Sequence, residues 1–134
     1  MCYDDWSRPD EIFSTDACLT GAGGYFKGKF FHVQFPSEVL ENKLNICVLE
    51  LIGIIIGLRL WKDELEGRSV VVYCDNESVC QVINTGRARC SLLQEGLREV
   101  CFLCAVAQCQ IRCVHIPGES NSIADCLSRW DQSP

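Results

Sequence analysis

The order of patterned segments predicts an α/β domain, βββαβααβα, built on a five-stranded mixed sheet flanked by helices. Three observations carry this. A run of period two, EIFSTDA, is followed by a hairpin pattern, YFKGKFFHVQF; a long apolar run of helical period, ICVLELIGIIIGLRLW, comes next; and SVVVYC is continuously apolar, as a strand buried on both faces must be. Strand–helix–strand passages need right-handed crossovers, so the sheet is expected to be antiparallel at one edge and parallel elsewhere.

The first strand, Glu11 to Ala17, places Ile12, Ser14 and Asp16 on one face and Phe13, Thr15 and Ala17 on the other. Gly21, Gly23 and Gly24 read as the turn that follows, and the hairpin reverses near Lys27, Gly28 and Lys29. Asn45 is placed to cap a helix from Ile46 to Glu66, closed by Gly67, with Ile46, Leu49, Ile52 or Gly53, Ile56 and Leu60 at its apolar positions. Gly53 and Gly57 each cost about 1 kcal/mol against Ala, so close packing on the sheet is the expected compensation.

Asp75 ends the SVVVYC strand. Asn76 can cap a short helix through Asn84 that Gly86 closes, and GRAR connects onward. Ser91 and Gln94 read as a capping box for a helix whose apolar side carries Leu93, Leu97, Val100, Cys101, Cys104 and Val106. A strand from Gln110 to His115 follows, Pro117 and Gly118 break it, and Asn121 or Ser122 can cap a last helix with Ala124, Asp125, Leu127 and Trp130. Residues 1–9 read as a linker or the cut end of a longer protein, 10–130 as one domain and 131–134 as a tail.

The 134 residues are 48% hydrophobic and 22% charged, the composition of a chain that folds around its own core. A formal charge of −6 argues against gripping nucleic acid by bulk electrostatics, so any such site must be local or shared with a partner. Eleven cysteines occur without a secretory pattern in MCYDDWSRPDEI, so a reducing, intracellular setting, cytoplasmic or nuclear, is expected. The longest apolar stretch, Leu51 to Leu58, falls far short of the roughly 20 residues a bilayer span needs, and no membrane partner is expected.

Four carboxylates stand out. Asp16 lies inside a strand among apolar or small neighbours, Glu50 interrupts an apolar helix, Asp75 ends the most hydrophobic strand, and Asp125 sits near the start of the last helix. Each has an ordinary explanation when taken alone: a strand-end carboxylate, a snorkelling Glu, a turn Asp, a helix-start Asp. Together, hard oxygen donors with few bases nearby in sequence are what magnesium demands, and a two-ion site would suit phosphodiester hydrolysis. In open α/β sheets ligands gather beyond the carboxyl ends of strands, where Asp16 and Asp75 would meet if their strands are adjacent and parallel.

Other candidates have competing readings. Asn76 either contacts a ligand or only caps its helix, with capping favoured. Arg87 and Arg89 either hold a phosphate beside a helix start or belong to a solvated loop. Cys101, Cys104, Cys109 and Cys113 have spacings that invite zinc, but they read better as buried thiols in apolar company. His115 reads as packed or hydrogen-bonded rather than catalytic.

The segments STDACLTGAGG, NICVLELIGIIIGLRLW, VVVYCDNESVCQVIN and HIPGESNSIADCLSRW resemble the ribonuclease H domain of retrotransposon polyproteins, from about Ile12 to Trp130. FHVQFP, CDN, INTGRAR and the HIPGESN ending are similar to DIRS-type elements, which carry a tyrosine recombinase. The resemblance implies a metal-dependent endonuclease that cuts the RNA strand of RNA–DNA hybrids during reverse transcription, beside a reverse transcriptase domain in the parent polyprotein. It implies two Mg2+ ions, with Mn2+ as a substitute: Asp16 bridges both, Glu50 and Asp75 complete one, and Asp125 serves the other. Many relatives have a histidine directly after the glycine of the last loop. Here Gly118 is followed by Glu119, a weak candidate for that role.

Two further readings stand beside this one. A non-catalytic nucleic-acid-binding or interaction module left from a polyprotein would suit the negative charge and the missing histidine. A strand-transfer or exonuclease domain of the same general fold is the other, but the helical Glu comes second in order here, which favours ribonuclease H over integrases, where it comes last.

Overall fold

The computed structural model describes residues 9–41 and 45–117. In chain order these form β1 (Glu11–Ala17), β2 (Gly21–Phe26), β3 (Lys29–Gln34), α1 (Ser37–Glu41), α2 (Ile46–Leu60), α3 (Lys62–Leu65), β4 (Ser69–Cys74), α4 (Glu77–Thr85), α5 (Ser91–Ala107) and β5 (Gln110–His115). The expected last helix with Asp125 and Trp130, the loop with Gly118 and Glu119, the leading segment up to residue 8 and the tail lie outside the described residues.

The strands form one sheet in the order β3-β2-β1-β4-β5. It is antiparallel across β3, β2 and β1 and parallel across β1, β4 and β5, as the sequence predicts. β4 is interior, and Val70 and Val72 are fully buried. The β2–β3 hairpin turns at Lys27 and Gly28, whose φ values of 49° and 78° match the twist of the flanking strands.

The glycines before that hairpin correct the sequence reading. Gly21, Gly23 and Gly24 lie within β2 rather than in a turn, because both edges of β2 are paired. Gly24 sits opposite Phe31, and a Cβ there would meet the Phe31 ring at 2.2 Å. The missing side chain is filled by a neighbouring ring.

α2 begins where expected, with the Asn45 side chain accepting from the Cys47 N–H at 2.8 Å. It ends early. Trp61, at φ −106° and ψ 16°, leaves the helical conformation, and its buried ring packs against Phe13, Phe26 and Phe31 at centroid distances of 5.5, 5.3 and 5.7 Å. Only the short α3 continues beyond it, and α1 is a helix that the pattern did not announce.

The apolar stripe of α2 also differs from expectation. Ile46 and Leu60 are exposed, whereas Leu51, Ile54, Gly57 and Leu58 join Leu49 and Gly53 in the interior. Two partners cause this: Gly53 and Gly57 meet the sheet, while Leu51 and Ile55 meet Gly96 of α5. A helix covered on both sides has no single apolar stripe.

On α5 the cap is Cys90, and Ser91 is the first helical residue, so the expected capping box is not formed. The Gln94 side chain donates to the Ala88 carbonyl instead, at 2.9 Å. Val100, Leu103 and Ala107 are buried while Cys101 and Val106 are exposed, a rotation of the predicted face set by contact with α2 rather than by hydrophobicity alone.

The two glycines of α2 are not equivalent. A Cβ at Gly57 would lie 2.8 Å from the ring of Phe13, which is buried against Trp61 and cannot swing away, whereas one at Gly53 would make ordinary contact with Ala22 at 3.5 Å. Gly57→Ala is expected to destabilise the fold by about 1–3 kcal/mol despite better helix propensity. Gly53→Ala should be neutral or stabilising by up to about 1 kcal/mol. Urea unfolding midpoints test the contrast, and equal effects at both positions would contradict it.

Candidate active site

Three of the four singled-out carboxylates meet at the carboxyl ends of β1 and β4. The parallel register pairs Ser14 with Tyr73, and two further residues along each segment bring Asp16 level with Asp75. α2 crosses β1 with Gly53 against Thr15, Ala22 and the Asp16 backbone. That seating carries Glu50, about one turn earlier, over the end of β1.

Glu50 is held from several sides. Its Oε1 accepts from the Ala17 N–H at 3.2 Å, its Oε2 accepts from the Cys74 thiol at 3.7 Å, and it shares a hydrogen bond with Asp16. Ligand atoms of Glu50, Cys74 and Asp75 lie within 4.8 Å of one another. Asp16 and Glu50 are each 3% exposed, while Asp75 is half-buried. An open cleft of about 750 Å³ is lined by these three carboxylates together with Thr20, Ile46 and Asn76, among others.

Burial, and then the proximity of Cys74, Asp16 and Asp75, pushes the Glu50 carboxyl from its ordinary value near 4.5 up to about 11. Among the described residues, none that lines the cleft is Lys, Arg or His. Clustered hard oxygen donors that repel one another fit a divalent cation such as magnesium.

The remaining candidates separate. Asn76 caps α4, its Oδ1 accepting from the Val79 N–H at 3.1 Å, while also lining the cleft. Gly86 closes that helix at φ 70°, as expected. Arg87 and Arg89 are exposed and line a different groove, with Ser78, Gln81 and Thr85. Asp125 lies outside the described residues.

His115 is exposed at the end of β5, which overturns the packed half of the packed-or-hydrogen-bonded reading. The zinc-like spacing dissolves too: Cys101 is exposed on α5, Cys104 is half-buried, and Cys113 faces Cys74 and Cys80 instead. Cys74 is the site residue that sequence reading missed. Its signal was its place just before Asp75 at the end of an inward-facing strand.

A group whose folded-state pKa lies above its unfolded value holds its proton in the fold, so the fold loses stability as pH rises between the two values. For Glu50 that window runs from about 4.5 to about 11, with a slope on the order of 1 kcal/mol per pH unit. In the presence of a chelator, Glu50→Gln is expected to flatten the fall in stability between pH 5 and pH 8 and to raise stability at pH 8. Urea melts at the two pH values measure this, and an unaltered slope in the variant would contradict the assignment.

Residues 28–131 match the reverse transcriptase-like family. The fold is similar to that of LC11 ribonuclease H1, solved in complex with an RNA/DNA hybrid, at 20% identity and a TM-score of 0.68 over 87% of this chain and 91% of that one. Ribonuclease H1 from the halophilic archaeon Halobacterium salinarum aligns at 13% identity and a TM-score of 0.69, over 87% and 92%. The foamy viral protease-reverse transcriptase, in complex with RNA/DNA hybrid, aligns at 12% identity and a TM-score of 0.62, over 95% of this chain and 21% of that one. Among curated proteins none matches. With the family match spanning most of the chain and the five-stranded mixed sheet in place, the protein belongs to the reverse transcriptase-like family and has the ribonuclease H fold.

Proposed function

We propose that the chain is a metal-dependent endonuclease that hydrolyses the RNA strand of RNA–DNA hybrids during reverse transcription. The observation that carries this is the meeting of Asp16, Glu50 and Asp75 on one open cleft that, among the described residues, no basic side chain lines. The family match and the likeness to structures solved with RNA/DNA hybrids support the reading. Within this reading the chain comes from a retrotransposon polyprotein of DIRS type, next to a reverse transcriptase domain, and works inside the cell.

Asp16, Glu50, Asp75 and Asp125 would hold two Mg2+ ions, or Mn2+ in their place. When bound, such ions supply an activated water and neutralise charge on the attacking and leaving oxygens of the phosphodiester. The protein's own part is positional. β1 and β4 are paired on both edges, so Asp16 and Asp75 sit on rigid ends, and the Ala17 N–H fixes the direction of Glu50. Glu50, whose carboxyl burial and neighbouring acids hold protonated, would release that proton on taking up a cation. The openness of the cleft suits a polymeric substrate, and Asn76, anchored as the α4 cap, borders it. Arg87 and Arg89, exposed on their own groove, are suited to a phosphate of the hybrid further along.

The test is cleavage of a labelled RNA–DNA hybrid in magnesium by the parent chain and by Asp75→Asn, which keeps the shape of Asp75 but not its charge. The parent is expected to cut only RNA, and the variant to lose on the order of a hundredfold or more in rate with its circular dichroism unchanged. Equal rates in the two proteins would move the active site elsewhere. Intact RNA, with no thermal shift on adding magnesium, would favour a non-catalytic module, because an ion that binds only the folded state must stabilise it.

The arginines give a separate expectation. Replacing Arg87 and Arg89 together by Ala should weaken hybrid binding and reduce the slope of log affinity against log salt by roughly one to two. Fluorescence anisotropy across a salt series measures this, and an unchanged slope would place both side chains away from the phosphates.

A further inference from the structure

One cluster of reactive side chains touches that site only through the Cys74–Glu50 hydrogen bond. Cys74 at the end of β4, Cys80 on α4 and Cys113 on β5 bring three sulfurs within 4.8 Å of one another, at exposures of 0%, 4% and 2%. Cys80 Sγ and Cys113 Sγ are 3.0 Å apart. The fold holds them there firmly. The Asn84 side chain donates to the Cys113 carbonyl at 2.7 Å and accepts from the Cys113 N–H at 2.8 Å, pinning α4 to β5, while β4 and β5 pair in parallel along their whole length.

Burial as small hydrophobes accounts for each cysteine separately, but not for three thiols from three elements converging on one point, since S–H groups are weak donors to one another. Soft sulfur donors select ions of the zinc class. Zinc–sulfur bonds are about 2.3 Å, so two sulfurs on one ion lie at most about 4.6 Å apart, and about 3.8 Å at a tetrahedral angle. The cluster is of that size, and a small opening of the Cys80–Cys113 contact would admit the ion. Structural zinc sites take a fourth ligand, and Glu50 Oε2 lies 3.7 Å from the Cys74 sulfur.

We propose that Cys74, Cys80 and Cys113 form a binding site for one thiophilic divalent cation of the zinc class, directly beneath the carboxylate cleft and sharing Glu50 as its neighbour. Three metal–sulfur bonds form as three S–H protons pass to solvent, with no change of oxidation state. The site is chemically distinct from the cleft, because magnesium prefers oxygen and zinc-class ions prefer sulfur.

The test is titration of the fully reduced chain with Cd2+ in excess Mg2+, following sulfur-to-metal charge-transfer absorbance, independently of any nuclease activity. One saturable equivalent is expected. Affinity should fall on the order of a hundredfold or more in Cys80→Ser and Cys113→Ser and stay unchanged in Cys90→Ser, Cys101→Ser and Cys109→Ser. Zinc-edge X-ray absorption on the parent needs no variant and should count three sulfurs around one ion. Fewer than three sulfurs, no saturable binding, or loss of the signal in Cys109→Ser rather than Cys80→Ser would overturn the proposal. So would a Cys80–Cys113 disulfide in the isolated chain that, once reduced, leaves thiols unable to take up the ion.

Discussion

How closely α2 approaches β1 governs the rest of this molecule. Gly57 lets the helix backbone settle onto the strand against Phe13, so Glu50 ends over the carboxyl end of β1 with the Ala17 amide and the Cys74 thiol as its partners. At that depth an ionised carboxylate is costly unless a positive charge faces it. A proton or a cation would satisfy the position, and the neighbouring acids disfavour leaving it ionised without either.

The other features of the fold serve that approach. Trp61 breaks the helix where its ring can close the aromatic cluster on Phe13, Phe26 and Phe31, fixing the far end of α2 against the sheet. Gly96 lets α5 press on Leu51 and Ile55 from behind. Gly24 makes room for Phe31, so the hairpin edge packs without a gap. Gly24, Gly57 and Gly96 exchange local propensity for backbone proximity, and the exchange is favourable because each contact buries large apolar neighbours.

The end of β4 is where two kinds of donor meet. Asp75 faces the cleft with Asp16 and Glu50, while Cys74, the residue before it, turns inward toward Cys80 and Cys113. Cys74 is the last residue of β4 and Asp75 the first beyond it, so the strand fixes the thiol while the carboxylate leaves the sheet. Hard oxygens and soft sulfurs are thereby separated by one peptide unit, and Glu50 is the group that touches both sets.

Sequence alone determined the strand order along the chain, the mixed sheet, the capping by Asn45 and Asn76, the left-handed Gly86 and the singularity of Asp16, Glu50 and Asp75, because these follow from local periodicity, cap chemistry and the burial of charge. It misread the Gly21 to Gly24 stretch, the face of α2, the cap of α5 and the grouping of the cysteines. Tertiary structure alone decided those. A glycine beneath a cross-strand ring looks like a turn glycine, a helix clamped on two sides has no single stripe, and sulfurs 33 residues apart meet only through strand pairing and helix docking. The carboxylates were legible because a buried charge is anomalous wherever it occurs; the thiol cluster was not, because a buried cysteine is ordinary until its neighbours are known.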